Sequence, residues 1–170
     1  MKKVIIPIVV ICVVFIIIGI VFYDKMPLLG KDLSESAVYV YNSAGEVQAT
    51  MSDDERDSFV AYIEGADISS NPTYNDEVTV GNPRYKITMP DGKSYEIALT
   101  QYTDEDDLTV TYSFFVVDGT MYEVNADDYT RIEYYWMLYR YAYLLENDYV
   151  TDDQYDELVG DLKYELDSLS

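Results

Sequence analysis

No histidine occurs anywhere in the 170 residues. That absence removes Ser-His-Asp and Cys-His nucleophile arrangements, together with His-ligated zinc or iron sites. Cysteine is almost as scarce, Cys12 standing alone. One thiol makes no internal disulfide and no thiolate metal site. Cys12 follows the bulky Ile11, whereas a lipidated cysteine needs a small residue before it, so it reads as an apolar side chain facing lipid. Neither G-x-S-x-G nor S-x-x-K is present. Gly92-Lys93-Ser94 resembles the end of a phosphate loop, but Ile87 stands where the first glycine of that motif belongs. Bases are few as well, 11 against 32 acids, for a net charge of −21. Such a surface repels nucleic acid and anionic lipid.

One long apolar run is present. Val4 to Tyr23 is twenty residues without a charge. At helical rise it spans ~30 Å, about the hydrocarbon thickness of a bilayer. It is too long for a signal-peptide core and lacks a small-x-small cleavage site, so residues 1–23 are expected to be an uncleaved single-pass transmembrane helix. Lys2 and Lys3 favour a cytoplasmic N-terminus and an extracytoplasmic remainder, a bias that Lys25 and Lys31 reduce. Residues 24–35 mix Pro27, Gly30 and charge, and read as a linker. The chain beyond residue 35 has room for one ordinary domain.

Ala37 to Tyr41 alternates as a strand, Asn42 to Gly45 is a turn, and Glu46 to Thr50 returns. Ser52-Asp53-Asp54-Glu55 is a capping box, and Phe59, Val60 and Ile63 give the helix behind it one apolar face. Asp67 to Pro83 is polar and reads as a long loop. Tyr85, Ile87 and Met89, then Tyr95, Ile97 and Leu99, alternate about the Pro90-Asp91-Gly92-Lys93 turn. A third strand covers Thr109 to Val117, and Asp118-Gly119 turns it into a fourth, Met121 to Val124. Asn125 caps a helix running to about Asn147. That helix carries two apolar stripes: Ile132, Tyr135, Trp136, Tyr139 and Tyr143 on one, Tyr134, Leu138, Tyr141 and Leu145 on the other. A helix apolar on two faces sits between two other elements, here the sheet and a last helix opened by the Thr151–Gln154 capping box.

The expected fold is therefore α+β: a transmembrane helix, a small antiparallel sheet with a packed helix over residues 36–125, and a C-terminal helical hairpin over 126–170. Leu144 to Leu162 resembles the short C-terminal helical hairpin known as SHOCT, with Leu144, Leu145, Val150, Thr151, Asp153 and Tyr155 at comparable places. Asp148 or Tyr149 stands where that family has glycine, and Gly160 near its lysine. The resemblance implies an oligomerisation or partner-docking tail without catalysis. The start of the domain, its Asp91-Gly92-Lys93 turn and its Tyr122-Glu123-Val124 strand look similar in general pattern to small uncharacterised extracytoplasmic domains of Gram-positive bacteria.

Carboxylates are plentiful, yet a paired-carboxylate hydrolase wants one acid in an apolar pocket, and these acids fall in loops, first turns and outward strand positions such as Glu96 and Glu123. Asp104 to Asp107 lacks the alternate spacing and glycine of a calcium loop and reads as a solvated turn. No cofactor and no metal is expected. Tyrosine is the anomaly, at 19 residues. Tyr134, Trp136, Tyr139, Tyr141, Tyr143 and Tyr155 form the candidate binding surface, because such rings serve both core and wet interface. The expected function is that of a membrane-anchored, non-enzymatic envelope module that binds a protein partner or itself. The alternative is a domain that binds cell-wall glycan or peptide on aromatic platforms.

Overall fold

The computed structural model describes residues 26–28, 30–69, 78–104 and 107–169. The expected transmembrane helix lies outside these, and no helix among the described residues is long and apolar enough to cross a membrane. The described chain is α+β. Seven strands form one antiparallel sheet: β1 (Ala37–Tyr41), β2 (Val47–Thr50), β3 (Ile68–Ser69), β4 (Tyr85–Thr88), β5 (Ser94–Thr103), β6 (Thr111–Val117) and β7 (Thr120–Val124). The helices are α1 (Asp53–Gly65), α2 (Ala126–Glu146) and α3 (Asp152–Ser168).

Spatial order in the sheet is β2-β1-β4-β5-β6-β7-β3. The β4–β7 meander follows from its turns. Asp118 and Gly119 have φ of 50° and 82°, the paired positive values that a two-residue turn needs to match strand twist. Gly92, at φ 83°, closes the β4–β5 turn. β3 falls where a loop was expected; it is a two-residue edge paired to Val124 and Glu123, too short for any alternation to show.

Register assigns the faces. Val38 pairs with Ile87, Val40 with Tyr85, Tyr85 with Ile97 and Leu99 with Phe115. These residues share one face with Tyr122 and Val124, and α1 and α2 close over it. Phe59 of α1 lies 4.6 Å from the Tyr85 ring and 5.8 Å from that of Tyr135 on α2. On the opposite face Phe114 is also fully buried, and the Thr100 hydroxyl there donates to the Thr79 carbonyl, tacking the incoming loop to the sheet.

Two boundaries differ from the sequence reading. The stretch read as a linker supplies Met26, Leu28 and Leu33, which are among the most buried side chains in the molecule. Asp32 accepts from the Ser34 backbone, and Ser36 donates to the Leu33 carbonyl, so residues 30–36 are a folded strap. Lys31 of the strap and Lys93 of the β4–β5 turn lie over the Tyr95 ring at 5.5 and 4.9 Å. Nor does the core stop at residue 125, because Tyr129, Ile132, Tyr135 and Trp136 belong to the same buried cluster as the sheet.

Candidate functional site

The site is built on the way α2 is held. Asn125 accepts from the Asp128 backbone N–H, capping the helix. Asp128 is buried and its carboxylate takes bonds from Asp67 N, Asn125 Nδ2 and Arg131 Nη1. One turn on, the Tyr85 hydroxyl from β4 donates to the Ile132 carbonyl and accepts from Trp136 N–H at 2.7 Å, thus touching both ends of one helical rung. Burial drives the Tyr85 phenol well above its ordinary pKa, so it stays a neutral donor. The Trp136 indole N–H donates to the Tyr41 carbonyl at 2.8 Å. Gln48 reaches the Tyr139 carbonyl, and the Tyr139 hydroxyl donates to Glu55. The first fourteen residues of α2 are thereby locked in position and rotation.

Beyond Trp136 no residue of α2 is buried, and none of α3 is. The turn between these helices is a Schellman motif: Tyr149 N–H reaches the Leu144 carbonyl, and Asp148 N–H the Leu145 carbonyl. Asp148 takes φ 58° there, the left-handed conformation that glycine adopts at least cost. The far end of α3 is pinned by Arg131, which donates to the Leu169 carbonyl at 2.8 Å while paired to Asp128. Between these two fixings α3 leans on α2 through Tyr155, Leu158, Leu162 and Leu166, all half-exposed.

The structure divides the six candidate residues. Tyr134 and Tyr141 line a cleft of about 280 Å³ between α2 and α3. Tyr139 and Tyr155 border a second, of about 160 Å³, with Leu138, Ala142 and Glu55. Tyr143, 42% exposed, stands beside Arg140 and the β1–β2 turn in a third hollow. Trp136 is 4% exposed, and the Arg84 guanidinium lies 3.7 Å over its ring, with Arg140 at 5.3 Å. This is the arrangement of a core residue clamped by cations; it is not a free stacking platform.

Electrostatics single out the first cleft. Its lining includes Glu133, Asp161 and Glu165 and no base. Burial pushes the Glu133 carboxyl above its ordinary pKa; Arg84 opposes this and Glu165 adds to it. Among the described residues no ion pair within 4 Å reaches Glu133. Glu55 is the contrasting acid. Burial raises it, but bonds from the Ser52 hydroxyl and backbone and from Tyr139 hold it below the usual value. Sequence reasoning passed over Glu133, Asp161, Glu165 and Met137, although Glu133 and Met137 lie one helical turn apart beside Tyr134.

Chemically the arrangement offers apolar contact and negative charge. No group of three or more metal-ligating side chains converges among the described residues; Asp104 and Asp107 of the acidic loop are described and its two middle residues are not. Comparison of the chain with protein-family models, with curated proteins and with solved structures finds no match.

Proposed function

We propose that this chain is a membrane-anchored, non-enzymatic envelope module that docks a partner protein outside the cytoplasm, with the α2–α3 hairpin as the docking element. The observation that carries the reading is α3 itself. Seventeen residues form a capped helix with no buried side chain, held by its two ends and a half-exposed apolar seam. A helix contributing so little to the core is retained for what it presents outward. The apolar run at residues 4–23, the missing catalytic residue types and the likeness of Leu144–Leu162 to a docking hairpin support the same reading. The glycan-binding alternative loses its main platform, because Arg84 occupies the Trp136 ring.

The test is cross-linked capture from native membranes by the full chain and by a version ending at Glu146. The proposal expects one protein to be retained by the full chain and lost by the shorter one, with Trp136 fluorescence unchanged in both. Equal capture of that protein by both forms would move the interaction to the sheet and overturn the assignment.

A further inference from the structure

We infer that the cleft between α2 and α3 seats a lysine- or arginine-bearing amphipathic helix of the partner protein. The inference rests on the docking reading and narrows it to one groove and one chemistry.

Shape comes first. On α2 the lining residues run from Thr130 through Glu133, Tyr134 and Met137 to Tyr141, one stripe about 16 Å long. On α3 they are Leu158, Asp161, Leu162 and Glu165, a stripe of two turns. Two parallel rims with an apolar floor make a trough that accepts a third helix in the manner of other helix-in-groove contacts.

Charge then selects the occupant. Glu133 and Glu165 face the same cleft from opposite helices; Arg84 draws the Glu133 carboxyl down and Glu165 pushes it up, and no base lines the cleft itself. Helix pairs normally put opposite charges at such positions, because like charges facing each other cost stability. A local violation of that rule, at a half-dry apolar cleft, marks a surface kept for something other than folding. An incoming ammonium or guanidinium relieves the repulsion, and leucine-like side chains cover Met137 and Leu162. A second copy of this chain is the wrong occupant. Residues 152–168 hold seven acids and the single base Lys163, so a symmetric contact would stack like charge on like. Nucleic acid and anionic lipid fail on sign alone.

The probe is a labelled synthetic helix of about 14 leucine and lysine residues, with leucines at i, i+3, i+4 and i+7, and its leucine–glutamate counterpart. Binding is read by fluorescence anisotropy against the full chain in zwitterionic nanodiscs, with empty discs subtracted. The variant is Glu133→Gln, Asp161→Asn and Glu165→Gln together. Its control is Glu35→Gln, Glu64→Gln and Asp127→Asn, three exposed acids elsewhere. The expected result is salt-sensitive binding of the lysine helix alone, weakened about tenfold in the cleft variant and within about twofold of wild type in the control. The cleft variant relieves a repulsion, so its melting temperature should hold or rise, which separates lost binding from lost folding. Equal binding by cleft variant and wild type, or an equal loss in the control, would overturn the inference. The natural partner separates the two proposals. If the chain ending at Glu146 loses it while the cleft variant keeps it, the hairpin still docks and the groove assignment fails. If the shortened chain keeps it, the docking reading itself fails.

Discussion

The two halves of α2 obey different rules although they are one helix. From Asp128 to Trp136 it holds five buried side chains and receives the Tyr85 hydroxyl from the sheet. From Met137 to Glu146 it holds none, and its companion α3 holds none. The first half is fixed by contacts that need one rotation and one depth, whereas past Tyr139, whose carbonyl and hydroxyl still bond Gln48 and Glu55, the helix needs only a neighbour. Hydrophobic burial of about 25 cal/mol per Å² accrues mainly to the first. Charge that folding disfavours sits on the face turned from the sheet, where Glu133 lies between the buried Ile132 and Tyr135 yet lines the cleft against α3.

Substitutions should break this contrast unevenly. Ile132→Ala or Tyr85→Ala removes a fully buried side chain and is expected to cost about 3–5 kcal/mol in urea unfolding. Tyr85→Phe keeps the ring and leaves the Ile132 and Trp136 backbone groups to bond each other, so about 1–2 kcal/mol is expected. Arg131→Ala strips a partner from the buried Asp128 carboxylate and frees the Leu169 carbonyl. About 1–3 kcal/mol is expected, with faster hydrogen exchange at the end of α3. Leu162→Ala, in the half-exposed seam, should cost no more than about 1 kcal/mol, against several for Ile132. Asp148→Gly relieves a left-handed residue and removes a negative charge from a helix C-terminus, and should raise stability by about 0.5–1 kcal/mol.

Acid sharpens the same contrast. The folded pKa of Glu133 lies above the unfolded one, so the native state holds the proton more tightly and stability falls as pH rises from the unfolded pKa through the folded one. Glu55 has the opposite sign: its contribution is present above the unfolded pKa and is lost as pH falls through the depressed folded value. Glu133→Gln should therefore flatten the alkaline side of the acid-range profile, and Glu55→Gln the acid side. The check is thermal unfolding from about pH 3 to 7, a span covering the ordinary carboxylate range.

Local chemistry wrote much of this fold legibly. Both capping boxes, the Asn125 cap, the two-striped helix and the Asp-Gly turns signal themselves within a few residues. The strap did not, because Met26, Leu28 and Leu33 are separated by Pro27, Gly30 and charge and follow no period. The clamp on Trp136 was equally hidden. Arg84 and Tyr41 lie far from it in sequence, and pairings of that kind are set by tertiary geometry. The candidate surface was partly legible, since aromatic stripes mark an interface or a core without saying which. Burial assigned Trp136 to the core and left Tyr134 and Tyr141 in the cleft. A useful signal was nonetheless available: in a chain with 11 bases, Arg84, Arg131 and Arg140 all work near α2.

The most direct measurement is site-resolved hydrogen exchange on the full chain, with and without the lysine-bearing helix. The account predicts that α3 amides open well below the global unfolding free energy in the free protein, whereas those from Tyr129 to Trp136 open only with it. Added helix should slow exchange in α3, and by linkage slow the globally exchanging amides of Tyr129 to Trp136 by no more than the same factor, while amides that open locally away from the cleft stay unchanged. Equal protection in both regions of the free protein, with no response in α3, would contradict it.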